Sequence, residues 1–225
     1  MNTSRIEKII GDNIYKLKKA KVLLVGLGGV GGICFEMLVR SGIENIAVVD
    51  YDKFEESNLN RQILSFTNNI NENKVFVAKD IANKINSSCK VTIYNKKLDI
   101  DFLNNLKPDF NYIIDACDDI NAKVCLVKYS IKNNIKIISS CGTGNRVDPT
   151  KLYYTDIWKT ENDPLARKFR NILRKEGISY KVPVVTSSEI PLLKTKDFVG
   201  SMAMVPNTCG IFLANFVIND IINKK

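Results

Sequence analysis

Gly26-Leu27-Gly28-Gly29-Val30-Gly31-Gly32 follows the apolar run Val22-Leu23-Leu24-Val25 and precedes a segment, Ile33 to Arg40, patterned as a helix. Strand, glycine turn and helix in that order make the phosphate-binding turn of a nucleotide fold. Gly26 permits the tight bend, Gly28 lets backbone approach a phosphate, and Gly31 lets helix pack closely on strand. The free N–H groups and positive dipole end of the helix then face the anion. The next strand, Ile46 to Val49, carries Asp50 to its carboxyl end, where a ribose hydroxyl would donate to it. The same glycines also suit a loop without a ligand, and the same aspartate a helix cap.

Outward from this turn the chain alternates strands and helices. Met1 to Lys19 reads as a polar helix or arm, with Ile6, Ile9, Ile10, Ile14 and Leu17 near helical spacing. The helix after the glycines closes at Gly42. Glu56 to Gln62 is too polar for core, and Lys74 opens an amphipathic helix. Val91 to Tyr94 and Tyr112 to Ile114 read as strands, the second ending in Asp115-Ala116-Cys117-Asp118-Asp119. A helix from about Asn121 to Lys132 leads to a strand, Ile135 to Ile138. This alternation predicts an α/β, Rossmann-like, mostly parallel sheet flanked by helices. Right-handed crossovers place the glycine turn, Asp50, Arg61 and Asp118 on one rim.

The last third predicts strands at Leu152 to Thr155, Val182 to Thr186 and Phe198 to Val205, and an apolar helix at Asn207 to Ile222 that packs inside the protein. A further helix starts at Asn162-Asp163-Pro164 and runs to Gly177. One face carries Leu165, Phe169, Ile172 and Leu173; the other carries Arg167, Lys168, Arg170, Arg174 and Lys175. That basic face suits either an RNA phosphate backbone or plain solvent. We expect a single domain over residues 1–225, with a nucleotide-binding core at 1–140 and a substrate-side and dimer region at 141–225 in the same domain.

The 225 residues carry 33 Lys and Arg against 24 Asp and Glu, a net charge of +9, which invites a polyanionic partner such as RNA or reflects solvated lysine faces. Without a leader pattern or a membrane-length apolar run, a cytoplasmic protein is expected. Six scattered cysteines without a Cys-x-x-Cys pair, and no histidine, argue against a zinc site. The missing histidine also removes the commonest acid–base partner of a nicotinamide oxidoreductase.

The polar residues near the rim suit attack of a carboxylate on the α-phosphorus of ATP, where two anions must approach and pyrophosphate must leave. Arg61 and Lys74 would neutralise phosphate oxygens, Asn58 and Gln62 could donate hydrogen bonds, and Asp118 could hold Mg²⁺. Each has a bland alternative: a surface ion pair, a solvated lysine, a helix cap.

Gly26-Leu-Gly-Gly-Val-Gly31, Asp50-Tyr-Asp52, Ser57-Asn-Leu-Asn-Arg61-Gln62, Lys74 and Asp115-Ala-Cys-Asp118 resemble the adenylation core of the ubiquitin-activating-enzyme-like superfamily. The resemblance implies ATP and Mg²⁺ as cofactors. It places Arg61, Lys74, Asp118 and Arg5 in the chemistry, with Asp118 on the metal. Gly26, Gly28, Gly29, Gly31, Asp50, Asp52, Asn58 and Gln62 would then bind the nucleotide. It also implies a homodimer, because the arginine matching Arg5 reaches a neighbouring subunit's ATP.

Cys141-Gly-Thr-Gly-Asn-Arg-Val-Asp-Pro-Thr150, Asp156-Ile-Trp-Lys-Thr160, Asp163-Pro-Leu-Ala-Arg167 and Gly200-Ser-Met-Ala-Met-Val-Pro206 are similar to the tRNA threonylcarbamoyladenosine dehydratases. These activate the carboxylate of the threonylcarbamoyl group on adenosine 37 of tRNA and close it into a ring. Cysteines that some members carry at the position of Asp163 or within Lys181 to Glu189 are missing, which favours direct cyclisation. The other readings are an adenylyltransferase acting on the C-terminus of a ubiquitin-like sulfur carrier, a nicotinamide enzyme, and an inactive RNA-binding module.

Overall fold

The computed structural model describes residues 1–193 and 199–223. Its strands are β1 (Lys21–Val25), β2 (Asn45–Val49), β3 (Lys90–Tyr94), β4 (Tyr112–Asp115), β5 (Lys136–Ser140), β6 (Leu152–Asp156) and β7 (Pro183–Ser187). They form one sheet in the order β3-β2-β1-β4-β5-β7-β6. Every pairing is parallel except β6 with β7. The central strands are continuous Val, Leu and Ile runs because both sheet faces are covered, which removes any alternation of polar residues.

The helices are α1 (Ser4–Ile10), α2 (Ile14–Lys19), α3 (Gly29–Arg40), α4 (Lys74–Ile85), α5 (Ile100–Asn105), α6 (Ile120–Asn133), α7 (Pro164–Lys175) and α8 (Met204–Ile222). Leu38 of α3, Val75 of α4 and Leu213 of α8 pack with Val22 and Leu24 on one sheet face. Leu126 of α6 and Phe169 of α7 pack with Leu23 and Val25 on the other. The Rossmann-like expectation therefore holds, and the strands of the last third extend the same sheet.

Four local expectations are corrected. The helix after the glycine turn starts at Gly29, so four of the seven quoted residues form its first turn. α5, capped by the Asp99 carboxylate accepting from the Phe102 N–H, was not anticipated. Residues 199–203 form no strand, and the terminal helix begins at Met204, with Phe198 outside the described residues. Asn58 and Gln62 are buried even though their segment is too polar to read as core.

α8 is long and apolar enough to cross a membrane by length and composition. Here it lies against α3. A Cβ added at Gly210 would stand 2.1 Å from the Val30 carbonyl oxygen, so the two helices meet backbone to backbone at this point.

Candidate active site

Parallel strands bring the loops after β1, β2, β4 and β5 to one rim. The loop after β1 is the glycine turn. Gly26 has φ +90°, and a Cβ there would stand 2.8 Å from the Ala116 carbonyl oxygen. A Cβ on Gly31 would stand 1.8 Å from the carbonyl oxygen of Gly26. Gly28 differs from both: its Cβ would meet only Gln62 Nε2, at 3.9 Å. The space above Gly28 is thus open where the turn needs room for an anion. No side chain caps the N-terminus of α3, so its first amides are directed at whatever occupies that space.

Asp50 sits at the end of β2 and is buried. Its Oδ2 accepts the Leu27 N–H at 2.6 Å and its Oδ1 accepts the Asp52 N–H at 2.8 Å. The carboxylate therefore braces the glycine turn, a role the sequence did not suggest. Burial pushes its carboxyl pKa up, opposed first by Lys74 and then by the two amides.

Lys74, the first residue of α4, is buried to 5% exposure and its Nζ lies 3.1 Å from Asp52 Oδ2. No other hydrogen-bond partner of that ammonium is found among the described residues. An ammonium has three donors, so this buried cation fits a site that receives anionic oxygens. The Lys74 N–H also donates to the Asp52 carbonyl, which fixes α4 to the loop after β2.

The segment after that loop folds around Asn58. Its side-chain oxygen accepts the Glu55 N–H, closing a short 3₁₀ turn, Glu56–Asn58. Arg61 Nη1 donates to the Ser57 carbonyl at 2.7 Å and to Asn60 Oδ1 at 2.9 Å. The Arg61 side chain also reaches the glycine turn, its Cγ 3.6 Å from where a Gly29 Cβ would stand. Gln62 is buried beside Gly28 and its Oε1 has no partner. A buried acceptor without a donor is costly, so Gln62 is set for a further contact at the turn.

Asp118 is exposed in the loop after β4 and makes no hydrogen bond among the described residues. Its charge, with those of Asp52 and Asp50, bears on Tyr51, whose phenol pKa is raised by Asp52 foremost, then burial, then Asp118. An exposed carboxylate beyond the end of a parallel strand, as Asp118 is, could hold Mg²⁺.

The loop that carries Asp118 is anchored by a network invisible in the motif. Lys123 and Asp115 are fully buried, 3.0 Å apart. Lys123 also donates to the Ser140 carbonyl and Ser139 Oγ, and Ser139 Oγ donates to Asp115 Oδ2. Cys117, adjacent to Asp118, donates its thiol to Asp115 Oδ1, and burial foremost pushes that thiol well up. It is therefore not an activated nucleophile.

A second buried hub orders the last third. Asp163 accepts the Gly142 and Ala166 N–H groups and lies 3.5 Å from Arg146. Arg146 also donates to the Asn162 and Glu189 carbonyls. The hub ties the loop after β5 to the start of α7; both residues lie in motifs quoted from the sequence, but their pairing was not read there.

Arg5 is not brought to this rim within one chain. It is exposed on α1. The N-terminal ammonium nearby donates to Asn86, which follows the last residue of α4. Lys74 opens that twelve-residue helix, about 18 Å away at 1.5 Å per residue. Among the described residues no three His, Cys, Asp or Glu side chains cluster as a metal site would require.

With this geometry in view, residues 2–223 match the sequence profile of the ThiF family. The tRNA threonylcarbamoyladenosine dehydratase of Bacillus subtilis (strain 168) is 34% identical over 241 residues, covering 97% of this chain and 94% of that protein. The crystal structure of the E. coli tRNA N6-threonylcarbamoyladenosine dehydratase TcdA in complex with ATP superposes with a TM-score of 0.91 at 30% identity, covering 97% of this chain and 92% of that one. The molybdopterin-synthase adenylyltransferase of Haemophilus influenzae is 30% identical over 168 residues, covering 75% of this chain and 67% of that protein.

Proposed function

The chain belongs to the ThiF family, and on that premise we propose that it is an ATP-dependent tRNA threonylcarbamoyladenosine dehydratase. It adenylates the threonyl carboxylate of the modified adenosine and so allows ring closure. The observation that supports this reading is the extent of the likeness. It runs through the nucleotide half and the last third alike, over 97% of the chain, to a dehydratase solved with ATP. The molybdopterin-synthase adenylyltransferase is matched over 75% of the chain.

A carboxylate is a poor electrophile, and adenylation turns one of its oxygens into part of a leaving group. Gly28 and Gly29, with the free amides of α3, would hold the phosphates. Lys74 and Arg61 offset the charge of two approaching anions, and Gln62 and Asn58 orient them. Asp50 holds the glycine turn in register and stands ready for the ribose, while Asp52 keeps Lys74 in place. Asp118 would hold Mg²⁺, whose charge eases departure of pyrophosphate. Fixing the two reactants in line supplies up to about 7 to 11 kcal/mol of the barrier. A nitrogen or oxygen of the same modified base then closes the ring, so no protein nucleophile is needed, in keeping with the raised Cys117 thiol.

The working unit in this reading is a cytoplasmic homodimer in which Arg5 completes the neighbour's nucleotide site. That assignment accounts for an arginine held far from its own rim. The test is nucleoside mass spectrometry on threonylcarbamoyl-modified tRNA incubated with ATP, Mg²⁺ and either wild type or Arg61→Ala. Among the described residues the Arg61 side chain bonds only to the exposed Ser57 and Asn60, so the variant is expected to melt within about 2 °C of wild type. Its rate should fall at least about a hundredfold, on the scale of losing one charge-stabilising group. Undiminished cyclic product in the variant overturns the assigned role. Activation driven by a carrier-protein tail and not by modified tRNA overturns the substrate.

A further inference from the structure

α7 is strongly amphipathic. Ala166, Phe169 and Leu173 are buried, while Arg167, Lys168, Asn171, Arg174 and Lys175 are exposed. The helix contains five basic residues and no acidic one. Two of the five are committed locally: Arg170 donates to the Thr160 and Ile157 carbonyls, and the Arg174 guanidinium lies 5.6 Å over the Trp158 ring. Arg167, Lys168 and Lys175 make no ion pair among the described residues. Glu176, the acid that follows the helix, is neutralised by Lys128 at 2.6 Å.

The placement of this helix gives its charge a direction. Asp163, which caps it, accepts the Gly142 N–H, and Gly142 lies in the loop after β5, on the same rim as the glycine turn. From that rim the twelve residues of α7 run about 18 Å away from the site. α7 covers the sheet face opposite α3 and α4, so its charge plays no part in holding the nucleotide. Lys159, Lys181 and the half-exposed Tyr180 flank it.

Resting on the dehydratase reading, we propose that the exposed basic face of α7 is the track on which the RNA backbone lies, with Arg167 nearest the modified adenosine and Lys175 farthest from it. A row of unpaired cations on a rigid helix binds phosphates without reading sequence. It fits a substrate whose reacting group lies at a loop and whose flanking stem must be held beside the cleft.

The experiment is tRNA binding as a function of salt, for wild type and the triple variant Arg167→Ala, Lys168→Ala, Lys175→Ala. Alanine keeps helix propensity high, and the melting temperature and ATP affinity of each protein are measured alongside. Each phosphate contact contributes about one to the slope of log K against log salt. The variant should therefore show a slope shallower by about two to three and KM for tRNA at least about tenfold higher, with ATP affinity and kcat retained. An unchanged slope and KM overturn the track while leaving cyclisation by wild type, and so the dehydratase reading, intact. Loss of binding to anionic phosphatidylserine vesicles with no loss of tRNA binding also overturns it, in favour of a lipid surface. A variant that loses ATP affinity in parallel overturns the separation of this face from the nucleotide site.

Discussion

Gly31 faces the carbonyl of Gly26 so closely that a single added carbon would stand 1.8 Å from its oxygen. No rotamer relieves a Cβ clash with backbone, so the strand-to-helix packing here depends on glycine. The corresponding space at Gly28 is open. Gly31→Ala should therefore cost about 3 kcal/mol or more in urea unfolding, the upper end of overpacking penalties. Gly28→Ala should change stability by less than about 1 kcal/mol and still weaken ATP binding at least about tenfold, as read by calorimetry. Equal effects of the two on stability would contradict the division of labour between them.

The Asp50 carboxyl is raised from its ordinary value near 3.8 by burial. The folded protein thus holds that proton more tightly than the unfolded chain does. The stability linked to it is fully present below the unfolded value and is lost as pH rises through the folded one. Asp50→Asn does not titrate, so the stability of wild type minus that of the variant should fall with rising pH in the window just above 3.8. Chemical denaturation across that window checks the sign, and a difference that grows with pH contradicts it.

Lys123 and Asp115 form an ion pair in the core. Burial alone would lower the ammonium pKa, but Asp115 foremost, together with Cys117 and Cys141, more than offsets this and leaves it raised. Lys123→Met leaves Asp115 buried and uncompensated and should cost about 3 to 5 kcal/mol. Pairing it with Asp115→Leu should recover much of that loss. Equilibrium unfolding of the three variants decides, and no recovery in the double variant would contradict a simple charge pairing.

The glycine turn, the strand carrying Asp50 and the helix opened by Lys74 were legible because each is a local pattern: an apolar run, a glycine spacing, a helical stripe. Burial of Asn58 and Gln62 was not: Asn58 is held by the Glu55 amide within its own turn and Gln62 is covered with no partner for its Oε1, and neither arrangement leaves a mark in the residue pattern. Nor was the pairing of Asp115 with Lys123, or of Arg146 with Asp163, since both depend on sheet order and not on spacing. The apolar residues Val199, Met202 and Met204 imitate a strand, yet all three are exposed, the first two in the approach to α8 and Met204 as its first residue. The bracing of Leu27 by Asp50 escaped for the same reason: an acid at a strand end has the same sequence signature whether it meets a ribose or a backbone amide.

The central claim, that ATP on the glycine turn activates the threonyl carboxylate by adenylation, is tested most directly by isotope transfer. Modified tRNA bearing oxygen-18 in that carboxylate is incubated with wild-type protein, ATP and Mg²⁺, and the nucleotide products are weighed by mass spectrometry. Attack of the carboxylate on the α-phosphorus predicts pyrophosphate and AMP that carries one labelled oxygen per ring closed. ADP with the label in inorganic phosphate, or AMP without label while the ring still forms, would contradict it.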